Sequence, residues 1–151
     1  MPKYPPELFL INILVSIDKI KRNTEKLSFL EFVESETIFG FTIRELQEIG
    51  ESGKKLLASI EPENSDIEWR KIIAFRNIVV HRYFGIEPTV VSEVITKEIP
   101  ILEKEIISLL KNTADRNKLS RVMRAAKKTY TKFNRENTVA YLEEVEKLIE
   151  L

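Results

Sequence analysis

The only histidine and the only tryptophan of this 151-residue chain fall in one stretch, Trp69 to Gly85, which reads WRKIIAFRNIVVHRYFG. Its side chains include a guanidinium at Arg76, a carboxamide at Asn77, an imidazole at His81 and a phenol at Tyr83. An imidazole exchanges a proton near neutral pH, so it serves as a general base when neutral and a general acid when charged. A guanidinium nearby offers a planar fork of donors that suits the oxygens of an anion. Acid–base chemistry beside an anionic group is therefore the chemistry to seek here.

Wound as a helix at about 100° per residue, the stretch sorts into two faces. Trp69, Ile72, Ile73, Phe75, Val79, Val80 and Phe84 make an apolar arc with Arg76 in its middle, whereas Arg70, Asn77 and His81 make a narrow polar strip along its edge. Asn77 and His81 lie one turn apart, and Tyr83 returns close to the stripe of Arg76. A guanidinium keeps its charge at ordinary pH and is expensive to remove from water alone. Arg76 must reach solvent, pair with a carboxylate or face an anion. Taken by themselves, these residues also fit a blander assignment, with Arg76 a structural partner of an acid and His81 an ordinary surface or satisfied histidine.

The elements that would carry this stretch are all helical. Glycine is scarce, at four residues, and Leu, Ile, Glu and Lys dominate, a composition that favours an all-α protein. Leu10, Ile11, Leu14, Ile17 and Ile20 predict a first helix over about residues 6–25 with Asp18, Lys19, Lys21 and Arg22 on its exposed side. Ser28 and Glu31 form a capping-box pattern opening a short helix that ends near Ser35. A longer helix follows, over about 36–59, carrying Gly50 and Gly53 at a spacing that permits close packing of a neighbour. Residues 61–65 (EPENS) read as a loop and Asp66 as the cap of the central helix, which Gly85 is expected to end. Pro88 permits a new helix, Pro100 begins or bends the next, and residues 111–151 form a helical hairpin turning at Asn134 to Asn137. The expected organisation is a bundle over 1–110 with an extension over 111–151.

Absences narrow the chemistry. No cysteine is present, which removes disulfides, thiolate nucleophiles and cysteine-based metal sites; with a single histidine, no protein-only zinc site is expected and no cofactor is implied. The longest apolar run, Leu8 to Val15, is interrupted by Asn12 and is too short to span a bilayer. A cytoplasmic location is expected. There is no glycine-rich phosphate loop, nucleophile elbow or internal repeat. The net charge is zero but unevenly spread: residues 111–135 hold nine basic side chains and one acidic, and the segments on either side are each net acidic.

The run from Arg76 through His81 to Tyr83 has the form R, any four, H, any one, Y, which resembles the signature of HepT-like toxins in the HEPN superfamily. Ile49-Gly50-Glu51-Ser52 is similar to that family's IGEA segment, Trp69 stands where the family carries a tryptophan, and Ile99-Pro100-Ile101-Leu102 is similar to its LPxL helix start. The chain departs from the pattern at Gly53, where alanine is usual, at Ser92, where tryptophan is frequent, and in its extension from Lys111 onward.

The resemblance implies an up-and-down bundle that pairs into a homodimer, with two RxxxxH segments meeting in a cleft. It further implies a metal-independent endoribonuclease, the toxin of a type VII toxin–antitoxin pair, with Arg76 and His81 catalytic. Tyr83 would accept AMP from a minimal nucleotidyltransferase antitoxin that uses ATP. Elementary chemistry agrees: metal-free RNA cleavage uses the 2′-hydroxyl as nucleophile, which requires one proton removed, another donated and an anionic phosphorus stabilised. One histidine cannot be base and acid at once, whereas a two-fold dimer supplies two. Arg76 would contact the scissile phosphate, and Asn77 would orient the imidazole or the ribose. Added AMP near Arg76 would bring bulk and negative charge into the cleft.

Candidates for RNA contact are Arg70 and, in the basic segment, Arg121, Arg124 and Lys128. That segment also holds Arg116, Lys118, Lys127, Lys132 and Arg135, interleaved with Tyr130 and Phe133, and its acidic flanks offer intramolecular partners instead. Two other assignments remain open on sequence. One is a non-catalytic nucleotide- or partner-binding module; the other is a polar dimer seam built from Arg76 and His81.

Overall fold

The computed structural model describes residues 4–59, 67–81 and 85–151, with no strand among them. The expected loop at 61–65, the Asp66 cap, Tyr83 and Phe84 lie outside the described residues. In chain order the helices are α1 (Pro6–Thr24), α2 (Phe29–Glu34), α3 (Glu36–Leu57), α4 (Trp69–His81), α5 (Pro88–Glu93), α6 (Ile99–Lys111), α7 (Arg116–Lys132) and α8 (Glu136–Leu148). The fold is all-α, as the composition predicts.

Local chemistry sets most of these boundaries. Ser28 Oγ accepts from the Glu31 amide at 3.1 Å while Glu31 Oε1 accepts from the Ser28 amide at 3.1 Å, so the expected capping box opens α2. Ser35 caps α3 and Asp115 caps α7 by the single side-chain bond, accepting from the amides of Ile38 and Lys118. Pro88 sits in the first turn of α5, where its missing N–H has no helical partner to lose. Pro100 falls two residues into α6, and the chain answers with a π-helical turn (Val94–Glu98) that joins α5 to α6, the Ile99 amide donating to the Val94 carbonyl. The wider turn relieves the clash a proline ring makes with the carbonyl four residues before it. The described part of α4 runs to His81 and the residues that would link it to the expected stop at Gly85 lie outside the described ones; Gly85 itself has no left-handed backbone.

Helix α1 is the centre of the bundle, packing against α3, α6, α7 and α8. Ile11, Ile13, Leu14, Ile17 and Ile20 are completely buried. This overturns one expectation. Asp18, assigned to an exposed side, is buried, because the α7–α8 hairpin covers the face of α1 that a smaller bundle would leave in water. Burial pushes the Asp18 carboxyl above its ordinary range, opposed by Arg22, whose Nε donates to it at 2.8 Å. On the same flank Lys21 donates to Glu103 at 2.9 Å and the Tyr141 hydroxyl donates to Glu103 at 2.8 Å, tying α1, α6 and α8 together. Burial and the neighbouring Glu103 push the Tyr141 phenol well above its usual value, so it stays a donor.

The hairpin itself turns where expected. Asn134 takes a left-handed backbone with φ of 56°, and the Arg135 amide donates to the Tyr130 carbonyl at 2.8 Å, the bond of a Schellman turn. Leu119, Met123, Leu142, Val145 and Ile149 complete its inner face and join the common core. Arg116 locks its open end. One guanidinium nitrogen donates to the carbonyls of Leu110 and Lys111, and the other to those of Ile149 and Glu150, so one side chain closes the C-termini of both α6 and α8. Charged donors to orphan helix carbonyls are worth roughly 1.5–3 kcal/mol each at most. Arg116→Ala should therefore lower unfolding free energy by about 2–4 kcal/mol in a denaturant titration, with hydrogen exchange rising first in α7 and α8.

Candidate functional site

Helix α4 is placed by its packing on α3. Trp69 and Val79 are buried, Ile72 and Phe75 partly so, and these residues form its inner face. At the crossing point stands Gly50. A Cβ built there would overlap the Cβ and Cγ of Arg76, so the aliphatic stem of Arg76 lies directly on the backbone of α3. Gly53, one turn on, receives the indole of Trp69; a Cβ there would lie 3.3 Å from Trp69 Cε3, tight but open to a small shift. The spacing read as permitting close packing does so, and the departure at Gly53 concerns packing only.

From this seat the Arg76 guanidinium turns back toward solvent with its side chain 23% exposed. One terminal nitrogen pairs with Glu51 Oε1 of α3, and Nη1 donates to Asn77 Oδ1 at 2.9 Å. Its Nε is buried with no hydrogen-bond partner. Arg76 thus meets an acid of its own chain, the outcome expected of a structural arginine, although its five N–H groups exceed what these two partners occupy.

The polar strip is present as expected. Arg70, Asn77 and His81 are all exposed, along one side of α4. His81 is the last described residue of the helix, and its side chain makes no hydrogen bond or ion pair with a described residue. Asn77, expected to orient the imidazole or the ribose, gives its Oδ1 to Arg76. Tyr83 lies outside the described residues. Beside the strip, Ile78 and Val80 stand 50% and 40% exposed on a helix that contributes to the core on its other side. On a different face of α4, away from the strip, runs a groove of about 460 Å³ lined by Leu46, Ile49, Ile72, Phe75, Ile101 and Leu102 among others. No cluster of described residues has the ligand set of a metal site, and no described helix is long and apolar enough to cross a membrane.

Glu51 is the residue that sequence reasoning missed, since it drew notice only within the segment Ile49 to Ser52. The signal was there: a glycine that must admit a neighbouring helix is followed by a carboxylate that must flank that neighbour, and α4 presents one cation on its apolar arc. Of the basic residues named for RNA contact, Arg121, Arg124 and Lys128 stand exposed on α7, which packs on α1 and α8, while α4 packs on α3. They are not part of the Arg76–His81 cluster.

Gly50→Ala tests the crossing. The added methyl meets the fixed base of the Arg76 side chain, so α4 must move out; a loss of about 1–3 kcal/mol is expected. Gly53→Ala should change stability by under about 1 kcal/mol, a contrast that thermal melts of the two variants will show.

Comparison with known proteins supplies what geometry leaves open. Residues 13–109 match the family model described as HepT-like, Ribonuclease HepT-like. A protein of Caldanaerobacter subterraneus subsp. tengcongensis provisionally designated an RNase is 31% identical over 105 residues, covering 70% of this chain and 94% of its own. A second such protein, from Methanocaldococcus jannaschii, is 31% identical over 116 residues, 77% of this chain and 100% of its own. One from Thermococcus cleftensis, provisionally designated ribonuclease HepT, is 29% identical over 104 residues, 68% of this chain and 94% of its own. No solved structure matches the chain. The matched segment holds Gly50, Glu51, Arg76, Asn77 and His81, and leaves α7 and α8 outside it.

Proposed function

This chain belongs to the HepT-like ribonuclease family, and on that premise we propose that it is a metal-independent endoribonuclease acting at the Arg76–His81 cluster. The observation that supports the proposal is that the matched segment holds, on one helix, an exposed imidazole with no side-chain partner among the described residues and, just over one turn earlier, a guanidinium held by Glu51 and Asn77. Glu51 and Asn77 hold that guanidinium from two sides, which lowers the entropic cost of presenting it to an anion.

The site works as a pair of copies. Ile78 and Val80 flank the polar strip and have no cover of their own, which supports a homodimer in which two α4 helices approach. Neutral His81 of one protomer takes the 2′-hydroxyl proton, the oxygen attacks phosphorus, and the 5′-oxygen leaves with a proton from the charged His81 of the other. The products are a 2′,3′-cyclic phosphate and a free 5′-hydroxyl, and the two imidazoles end with their protonation exchanged. Arg76 sits on the phosphate oxygens as charge builds. In the cell the enzyme acts as a toxin, held in check by a minimal nucleotidyltransferase antitoxin that joins AMP to Tyr83.

A second reading is favoured by the Arg76–Glu51 pair, since an arginine already neutralised within its own chain also suits a non-catalytic module that grips a nucleotide or a partner. Turnover separates the two. Purified dimer should cleave RNA in the presence of EDTA, and His81→Ala should lower the rate by about 10²–10⁴ with no change in melting temperature. Unchanged cleavage in that variant overturns the assignment. Co-expression with a nucleotidyltransferase of the antitoxin type should raise the intact mass by whole AMP units, and Tyr83→Phe should abolish the increase.

A further inference from the structure

Folding sorts the basic residues of α7 into two sets. Arg116, Lys118 and Lys127 turn inward or sideways and are engaged within the chain, Arg116 by helix-end carbonyls, Lys118 by Glu7 at 3.5 Å and Lys127 by Glu146. Arg121, Arg124, Lys128, Lys132 and Arg135 remain exposed and form no ion pair with any described residue. Of these, Arg121, Arg124, Lys128 and Lys132 lie on α7, where at about 100° per residue they fall within roughly 80° of one another, a single stripe, and at about 1.5 Å per residue follow one another every 4–6 Å or so; Arg135 stands just beyond, past the left-handed turn at Asn134. At its end Phe133 stands 62% exposed, with Lys132 Nζ 5.8 Å from its ring.

A solvated helix face ordinarily mixes the two signs of charge. This one has no acid between Arg116 and Arg135, and it sets Arg124, Lys128 and Lys132 at successive four-residue spacings, where like charges destabilise a helix. The fold gains nothing visible from the arrangement, since the apolar side of α7 is already buried through Leu119, Met123 and Ala126. That burial also leaves no free apolar face with which the helix could enter a lipid surface. A row of regularly spaced cations ending in an exposed aromatic ring matches a single nucleic-acid strand, whose phosphates repeat at comparable intervals and whose bases stack on rings.

We infer that the outer stripe of α7 is a track for single-stranded RNA, gripping the phosphate backbone away from the Arg76–His81 cluster and raising the occupancy of long substrates at the site. The inference rests on the ribonuclease reading for its choice of RNA, and on residues 111–151 being an addition to the family bundle. It concerns binding alone and needs no new chemistry.

The test replaces Arg121, Arg124, Lys128, Lys132 and Arg135 together by Gln in the full chain. Binding of a fluorescent oligouridylate of about 16 nucleotides is followed by anisotropy across a salt series, with both parent and variant carrying His81→Ala so that the probe survives. Affinity should fall at least about tenfold at low salt, and the slope of log affinity against log salt should shrink by about 0.7 for each phosphate that the variant no longer neutralises. In the His81-containing proteins, KM for long RNA should rise while cleavage of a dinucleotide, too short to reach α7, stays unchanged. The melting temperature should hold or rise, because like-charge repulsion has been removed. Unaltered affinity and slope overturn the track, as does a drop in melting temperature, which would make the stripe structural. A change confined to self-association, from pairing with the acidic residues of a second copy, overturns it as well. If the parent cuts no RNA yet binds it through the stripe, the nuclease reading fails and the track stands; if it cuts RNA and the variant binds equally well, the reverse holds.

Discussion

Where α4 crosses α3 there is room for a hydrogen and no more. The stem of Arg76 lies against the backbone at Gly50, and the side chains of Trp69 and Ile72 close over Gly53 beside it. Helices in such contact have little freedom to slide, so the polar strip on the outer edge of α4 inherits a fixed position from a buried apolar fit. The guanidinium is then caught between Glu51 on one helix and Asn77 on the other. An arginine here does two jobs at once: its carbons pack and its charge presents.

That dual use explains why the ion pair is not a simple argument for structure. The pair is partly exposed, with side-chain accessibilities of 23% and 34% for Arg76 and Glu51, and exposed pairs contribute little to stability. Its effect is chiefly geometric, limiting the rotamers of a long side chain that would otherwise sample many. On the proposed role of Arg76, a carboxylate beside its guanidinium weakens the pull on a phosphate, so such a site would trade affinity for position. Enzymes that must release a polyanionic product have reason to accept that exchange.

The α7–α8 hairpin lies outside the family match and packs on the helices within it. By lying along α1 it encloses that helix, covering Asp18 and joining Tyr141 to the polar contact of Lys21 with Glu103. It also redistributes charge: the inward cations of α7 are neutralised by carbonyls and by acids on α1 and α8, while the outward ones keep their full field. The unevenness visible in the chain as a basic block between acidic ones thus becomes a one-sided surface.

Much was legible in the chain alone, for reasons that can be named. The capping box at Ser28, prolines at 88 and 100 and the apolar spacing of α1 are local signals, and they point to helix type and several of the ends. The polar strip of Arg70, Asn77 and His81 followed from helical period alone, as did the need of Arg76 for a partner. What the chain could not disclose is anything set by which helix lies beside which. The choice of Glu51 among 24 acids, the burial of Asp18 and the division of the α7 cations into engaged and free all depend on long-range packing. A one-dimensional pattern specifies the face a side chain occupies, and only the assembled bundle specifies what stands opposite that face.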